Sequence, residues 1–175
     1  MVPSLKFDSD HNIIEFNGAL ISLHCHHYNC GLLKTIEEMP QIDGRAVIVE
    51  TAAEQFFVNF KELLSKESKG ASPDKALQTA SELYRFMGFG RLDLSELAAR
   101  GGIAYADSSY YVTAWLAKYG RRKTPVCSFT CGFIAGIMGA VFDVTPQAYE
   151  VKERQCMMLG HERCEFVVTK KLNGD

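Results

Sequence analysis

The sequence predicts an α+β domain in which an antiparallel sheet is packed with helices. Three observations carry that prediction. Apolar residues recur at helical spacing through the first half of the chain. The period then shortens to strand-like alternation after Gly88. Finally, a glycine-rich helix separates two strand regions, giving the order ααα-ββ-α-ββ. At 175 residues the chain has the length of one domain, 1–175. Positions 1–87 read as a mainly helical half, and 88–170 as strands, the glycine-rich helix and a C-terminal hairpin. A chain of this length buries roughly 70% of its unfolded surface, so its core needs no disulfide support.

The elements follow in order. Phe7 to Phe16 reads as extended, with Asp8-Ser9-Asp10 as a turn. From Asn17 or Gly18 a helix is expected through Leu20, Ile21, Leu23, His24, His27, Tyr28, Leu32 and Ile36, ended by Pro40 and Asp43-Gly44. Val49, Ala53, Phe56, Phe57, Phe60, Leu63 and Leu64 then form one apolar helical face. Ser65 to Ala71 reads as a polar linker. Ser72 and Pro73 open a third helix as N-cap and first residue, with Ala76, Leu77, Ala80, Leu83, Tyr84 and Met87 on its apolar side.

Arg91 to Leu97 alternates as a strand, Gly101-Gly102 turns the chain, and Ile103 to Ala106 begins the return. Thr124-Pro125 opens a helix holding Gly132, Gly136 and Gly139. An exposed helix would lose about 1 kcal/mol at each glycine, so these three predict close packing against another element or room for a ligand. Pro146 ends this helix, and Tyr149 to Cys156 and Cys164 to Thr169 read as the last strands.

Composition excludes several function classes. Hydrophobic residues make up 47% and the net charge is −2, which fits neither a nucleic-acid nor a membrane surface. Arg121-Arg122-Lys123 reads as a solvated turn. The N-terminal stretch carries Asp8 and Asp10 where a signal peptide needs apolar residues. The longest apolar stretch, Phe129 to Phe142, is too short to span a bilayer. A cytoplasmic location is therefore expected, with the six cysteines reduced. The sequence holds neither a Gly-x4-Gly-Lys-Ser/Thr phosphate loop nor a dinucleotide fingerprint nor a basic recognition helix.

Two segments carry candidate chemistry. Cys156 and Cys164 flank a turn containing Gly160, Glu153 precedes Cys156 by three residues, and Cys127 opens the preceding helix. Three thiolates and a carboxylate form a reasonable zinc set, although by spacing alone buried free thiols are the commoner explanation. The other segment is Leu23-His24-Cys25-His26-His27-Tyr28-Asn29-Cys30. On a helix it would place His24, His27 and Tyr28 on one face and His26 and Cys30 on another. Its readings are a polar contact to a ligand, a metal or haem site, an acid/base pair in His26 or His27, or partly exposed histidines bonded locally. His161, in the hairpin turn, reads as solvated.

From about position 86 the chain resembles the 4-vinyl reductase domain family. The matching features are Gly88-Phe89-Gly90-Arg91, Pro125-Val126-Cys127 before Gly132-Phe-Ile-Ala-Gly136, and Glu153-x-x-Cys156-x7-Cys164-Glu-Phe166. The same pattern is similar to that of the sensor domains of bacterial activators of aromatic catabolism. The resemblance implies a structural zinc held by Cys127, Glu153, Cys156 and Cys164. Glu150 is an alternative carboxylate, because the stretch between Cys127 and Glu153 is about three residues longer than in those sensors. It also implies a cavity for a small hydrophobic or aromatic ligand, and a homodimer. Candidate contacts to that ligand are Phe89, Tyr110, Tyr111, Trp115, Phe129, Phe133 and His24.

Three functions remain in play. The first is a stand-alone binding module that senses or presents its ligand through a partner protein, without catalysis of its own. The second is a subunit of a multi-subunit enzyme, a reductase or one acting on aromatic compounds, using His26 or His27. The third is a scaffold, since the family fold resembles subunits of vesicle-tethering complexes.

Overall fold

The computed structural model describes residues 4–66 and 72–171. The expected linker from Ser65 to Ala71 therefore lies mostly outside the described residues. Three short strands open the chain: β1 (Leu5–Asp8), β2 (Ile13–Phe16) and β3 (Ala19–Ile21), paired antiparallel as one small sheet. Three helices follow: α1 (His26–Glu37), α2 (Gly44–Lys66) and α3 (Pro73–Phe86). The main sheet contains β4 (Gly90–Asp93), β5 (Leu97–Ala98), β6 (Gly101–Ser109), β7 (Tyr149–Gln155) and β8 (Cys164–Lys170). Helices α4 (Tyr110–Tyr119) and α5 (Ser128–Val141) stand between β6 and β7. The sheet order is β4-β6-β8-β7, with β5 beside β6, and every pairing is antiparallel. The α+β class predicted from the sequence is the one observed.

Two expectations need correction. The first helix does not begin at Asn17 or Gly18: both take positive φ, 50° and 87°, and form the tight turn between β2 and β3. Leu20 and Ile21 are thus strand residues, and His24 precedes the helix rather than lying on it. The apolar spacing there suits helix and strand alike, and the backbone demand of Asn17-Gly18 decides between them. The second difference is helix α4, which the expected order ααα-ββ-α-ββ lacks. Its start is set by Ser109, whose hydroxyl accepts from the backbone N–H of Val112.

Other boundaries fall where capping chemistry places them. Ser72 accepts from Lys75 N–H and Pro73 occupies the first helical position of α3. Asp43 accepts from Ala46 N–H at 3.0 Å, so Asp43-Gly44 opens α2 as well as closing the loop before it. Gly101-Gly102 lies inside the start of β6 rather than in a turn. No described helix is long and apolar enough to cross a membrane.

Helix α5 is buried along almost its whole length and packs between α2 and β7. Its glycines allow this. A Cβ at Gly132 would stand 2.3 Å from the Val49 carbonyl oxygen, and one at Gly136 2.5 Å from that of Ala53. Backbone approaches backbone at both points, so the three glycines serve close packing against α2 and, at Gly139, against Pro146.

Candidate functional site

Cys127 is the residue immediately before α5, Glu153 lies late in β7, and Cys156 and Cys164 flank a 3-10 turn (Met157–Leu159) before β8. Gly160, at φ 95°, closes that turn in the left-handed region. The fold brings these four residues together: one ligand atom from each lies within 4.8 Å of all the others. The Cys127 and Cys164 sulfurs are 3.8 Å apart, and those of Cys164 and Cys156 are 3.9 Å apart. A tetrahedral zinc with bonds of about 2.3 Å to sulfur requires sulfurs about 3.8 Å apart.

The carboxylate supports the same conclusion. Glu153 Oε2 accepts from the backbone N–H of Cys127 at 3.1 Å, whereas Oε1 is buried with no hydrogen-bond partner. A buried carboxylate oxygen without a partner is costly, and a cation at the centre of the cluster would satisfy it. Glu150 is exposed and pairs with Lys152 at 2.8 Å, away from this cluster. The residues thus fit a metal ion.

Crowding four acids without a cation distorts their titration. Burial, with the Cys156 sulfur alongside, pushes the Glu153 carboxyl up to about 8. Cys156 is drawn down to about 2, chiefly by hydrogen bonds from Cys127 and Cys164. Cys127 is driven well above the usual thiol range, first by its hydrogen bond with Cys156. Cys156 thus carries the negative charge while its neighbours hold protons, and a dication would displace those protons.

Next to the cluster lies an aromatic core. Phe89 sits against Tyr84, Phe129 and Tyr111 with ring centroids 5.3, 4.9 and 6.0 Å away. Tyr111 touches Tyr110, Phe56 touches Phe129 and Phe133, and Tyr84 touches Phe133. Of the expected ligand contacts, Phe89, Tyr110, Tyr111, Phe129 and Phe133 belong to this one ring network. Trp115 is buried elsewhere, beneath the Arg122 guanidinium and beside Tyr119. Arg122 also pairs with Glu37 at 2.7 Å, so it anchors α1 to α4 rather than lying in a solvated turn. His24 is exposed, stacks on Tyr28 and bonds Ser22.

Phe56 and Tyr84 join the network although the sequence does not single them out. They read only as apolar helical positions, and nothing in spacing says which face meets Phe129 or Phe133. The Tyr84 and Thr130 hydroxyls share a hydrogen bond of 2.7 Å, and the Asn29 amide donates to the Tyr110 hydroxyl at 3.1 Å. The His26 and His27 rings lie 4.0 Å apart on the first turn of α1; among the described residues neither has a carboxylate partner. Cys25 is exposed and Cys30 is buried. His161 is exposed, as expected.

An α+β fold with a buried metal-ligand cluster beside an aromatic core defines the class. Residues 110–170 match the 4-vinyl reductase domain family, and the chain carries a domain of that family. That match begins at α4, later than the position near 86 from which the sequence motifs were read. No curated protein matches the chain.

Among solved structures, the phenol-responsive sensory domain of the transcription activator PoxR, with phenol, is similar at TM-score 0.78 and 18% identity. The similarity covers 95% of this chain and 84% of that one. A vinyl-4-reductase family protein from Methanocaldococcus jannaschii is similar at TM-score 0.58 and 16% identity, over 86% of this chain and 83% of that one. At these identities the shared property is the fold.

Proposed function

We propose that this chain is a small-molecule-binding domain that holds a hydrophobic or aromatic ligand and passes its presence to a partner protein, without catalysing a reaction itself. The observation that carries this reading is the ring network spanning Tyr110 to Phe133, with Phe56 and Phe133 reaching open space. Aromatic walls with a few hydroxyl and amide groups suit planar apolar ligands. Similarity in fold to a phenol-responsive sensory domain supports it.

A zinc ion held by Cys127, Glu153, Cys156 and Cys164 would be structural. Four protein ligands leave no open position, and the ion would supply a cross-link rather than chemistry. Cys127 would fix the start of α5, Glu153 would tie β7 to it, and the two hairpin cysteines would lock the turn. Free thiols at all six cysteines accord with a reducing cytoplasmic setting. A homodimer is part of the proposal.

The test is a thermal-shift series on the metal-loaded protein with phenol, 2-naphthol and straight-chain fatty acids. Saturable stabilisation by an aromatic member, with the compound recovered unchanged, supports a binding module. Conversion of the compound in the absence of other proteins would favour an enzyme using His26 or His27. Concentration-dependent dimerisation with no ligand response would favour a scaffold.

A further inference from the structure

A cavity of about 450 Å³ lies among α2, α3 and α5, roofed by the turn that joins β2 to β3. Its walls are Phe56 and Phe60 of α2, Leu83 of α3, the following Met87, Phe133 of α5, and Phe16 at the end of β2. Phe60 and Phe133 are almost wholly buried, so the floor is the hydrophobic core itself. Polar groups gather at the mouth. Asn17 and Asn59 bring neutral amides, and the Glu62 carboxylate and Lys66 ammonium neutralise each other at 2.6 Å.

We propose that this cavity is the ligand chamber, and that its occupant is an uncharged hydrophobic molecule of about two rings carrying one hydroxyl or carbonyl. This rests on the reading that the domain binds a hydrophobic ligand. Size and charge select the class. A closed apolar cavity of about 150 Å³ holds benzene, so roughly three times that volume leaves a single ring loosely held. The paired Glu62 and Lys66 offer neither sign of charge to an ionised head, whereas the two amides match a neutral one.

The roof has the features of a movable cover. The strands of the N-terminal sheet bond one another, and the backbone N–H of Asn17 donates to Ser4 O within the same unit. Its stacked aromatic contact with the helices is Phe16 on Phe86, at 5.5 Å. An occupant would also touch Phe56 and Phe133, which lead through Tyr84 to Thr130, one turn from Cys127. Occupancy would therefore bear on the helix that the metal cluster anchors.

Isothermal titration of the metal-loaded chain with 2-naphthol and with phenol tests this. The expected result is 2-naphthol binding at least about tenfold tighter than phenol. Leu83→Trp, which fills the chamber, and Asn59→Trp, which blocks its mouth from an exposed position, should each weaken 2-naphthol by about tenfold or more. Tyr110→Phe, at the far end of the ring network, should leave binding unchanged.

Wild-type binding in both tryptophan variants, with loss in Tyr110→Phe, would overturn the chamber while leaving the binding function standing. Equal affinity for the two compounds would overturn the two-ring class. Absence of binding by either compound to the wild type would overturn both readings.

Discussion

Replacing Gly132 by alanine tests the contact on which the helical layer depends. The new Cβ would lie 2.3 Å from the Val49 carbonyl oxygen, 2.7 Å from Ala52 Cβ and 3.1 Å from Ala53 N. The closest of these is about 1 Å inside ordinary contact, and two of the three atoms are α2 backbone, which cannot rotate away. Overpacking of a core costs roughly 1–3 kcal/mol, and a clash with backbone belongs at the top of that range. Alanine returns about 1 kcal/mol of helix propensity, leaving a net loss of about 2 kcal/mol. With a urea dependence of about 2 kcal/mol per molar, the unfolding midpoint should fall by about 1 M.

Gly31→Ala is the matched control. Its Cβ would meet Lys118 Nζ at 3.1 Å, the free end of a flexible chain, and Tyr119 Oη at 3.9 Å. The propensity gain should win there, raising stability by up to about 1 kcal/mol. A midpoint for Gly132→Ala equal to or above wild type would refute the close crossing of α2 and α5.

Metal affinity should depend on pH. Cys127 and Glu153 hold protons well above their usual ranges in the metal-free cluster, Glu153 up to about 8. Metal binding must expel these protons, so the metal-loaded protein binds fewer protons than the unfolded chain. Its stability therefore rises with pH and is lost as pH falls from about 8 toward 5. Competition titrations with a chelator across that range would show it, and a flat profile would count against the cluster. Tyr84→Phe removes a buried hydrogen bond to Thr130 and should lower stability by roughly 1–2 kcal/mol in thermal or urea melts, with no change in metal content. Arg122→Ala should cost about 1–3 kcal/mol, because it loses both the partly buried Glu37 pair and the face of Trp115. A loss below about 0.5 kcal/mol would mean that Arg122 does not anchor α1 to α4.

The hairpin and its cysteines are legible in the sequence because their signal is local. Alternating strands, a glycine at the turn and acids at fixed offsets lie within a short stretch, and only Cys127 has to arrive from elsewhere. Helices α2, α3 and α5 are legible for a similar reason, through periodicity, a Ser72-Pro73 start and glycines that need a close neighbour. The N-terminal sheet is hidden because Leu20, Ile21, Leu23 and His24 satisfy helical spacing, and the decisive demand is the positive φ of Asn17 and Gly18. The chamber is illegible. Its walls come from residues far apart in sequence, and periodicity tells which residues face inward but not which of them leave a space between them.

The metal cluster joins the start of α5, the end of β7 and the hairpin, so its occupancy matters most. Metal analysis of the purified protein, wild type beside Cys156→Ser, tests it directly. About one zinc per chain in the wild type, lost together with folding stability in the variant, is the predicted result. A wild-type protein that folds with no metal, and binds none when zinc is supplied, would contradict it.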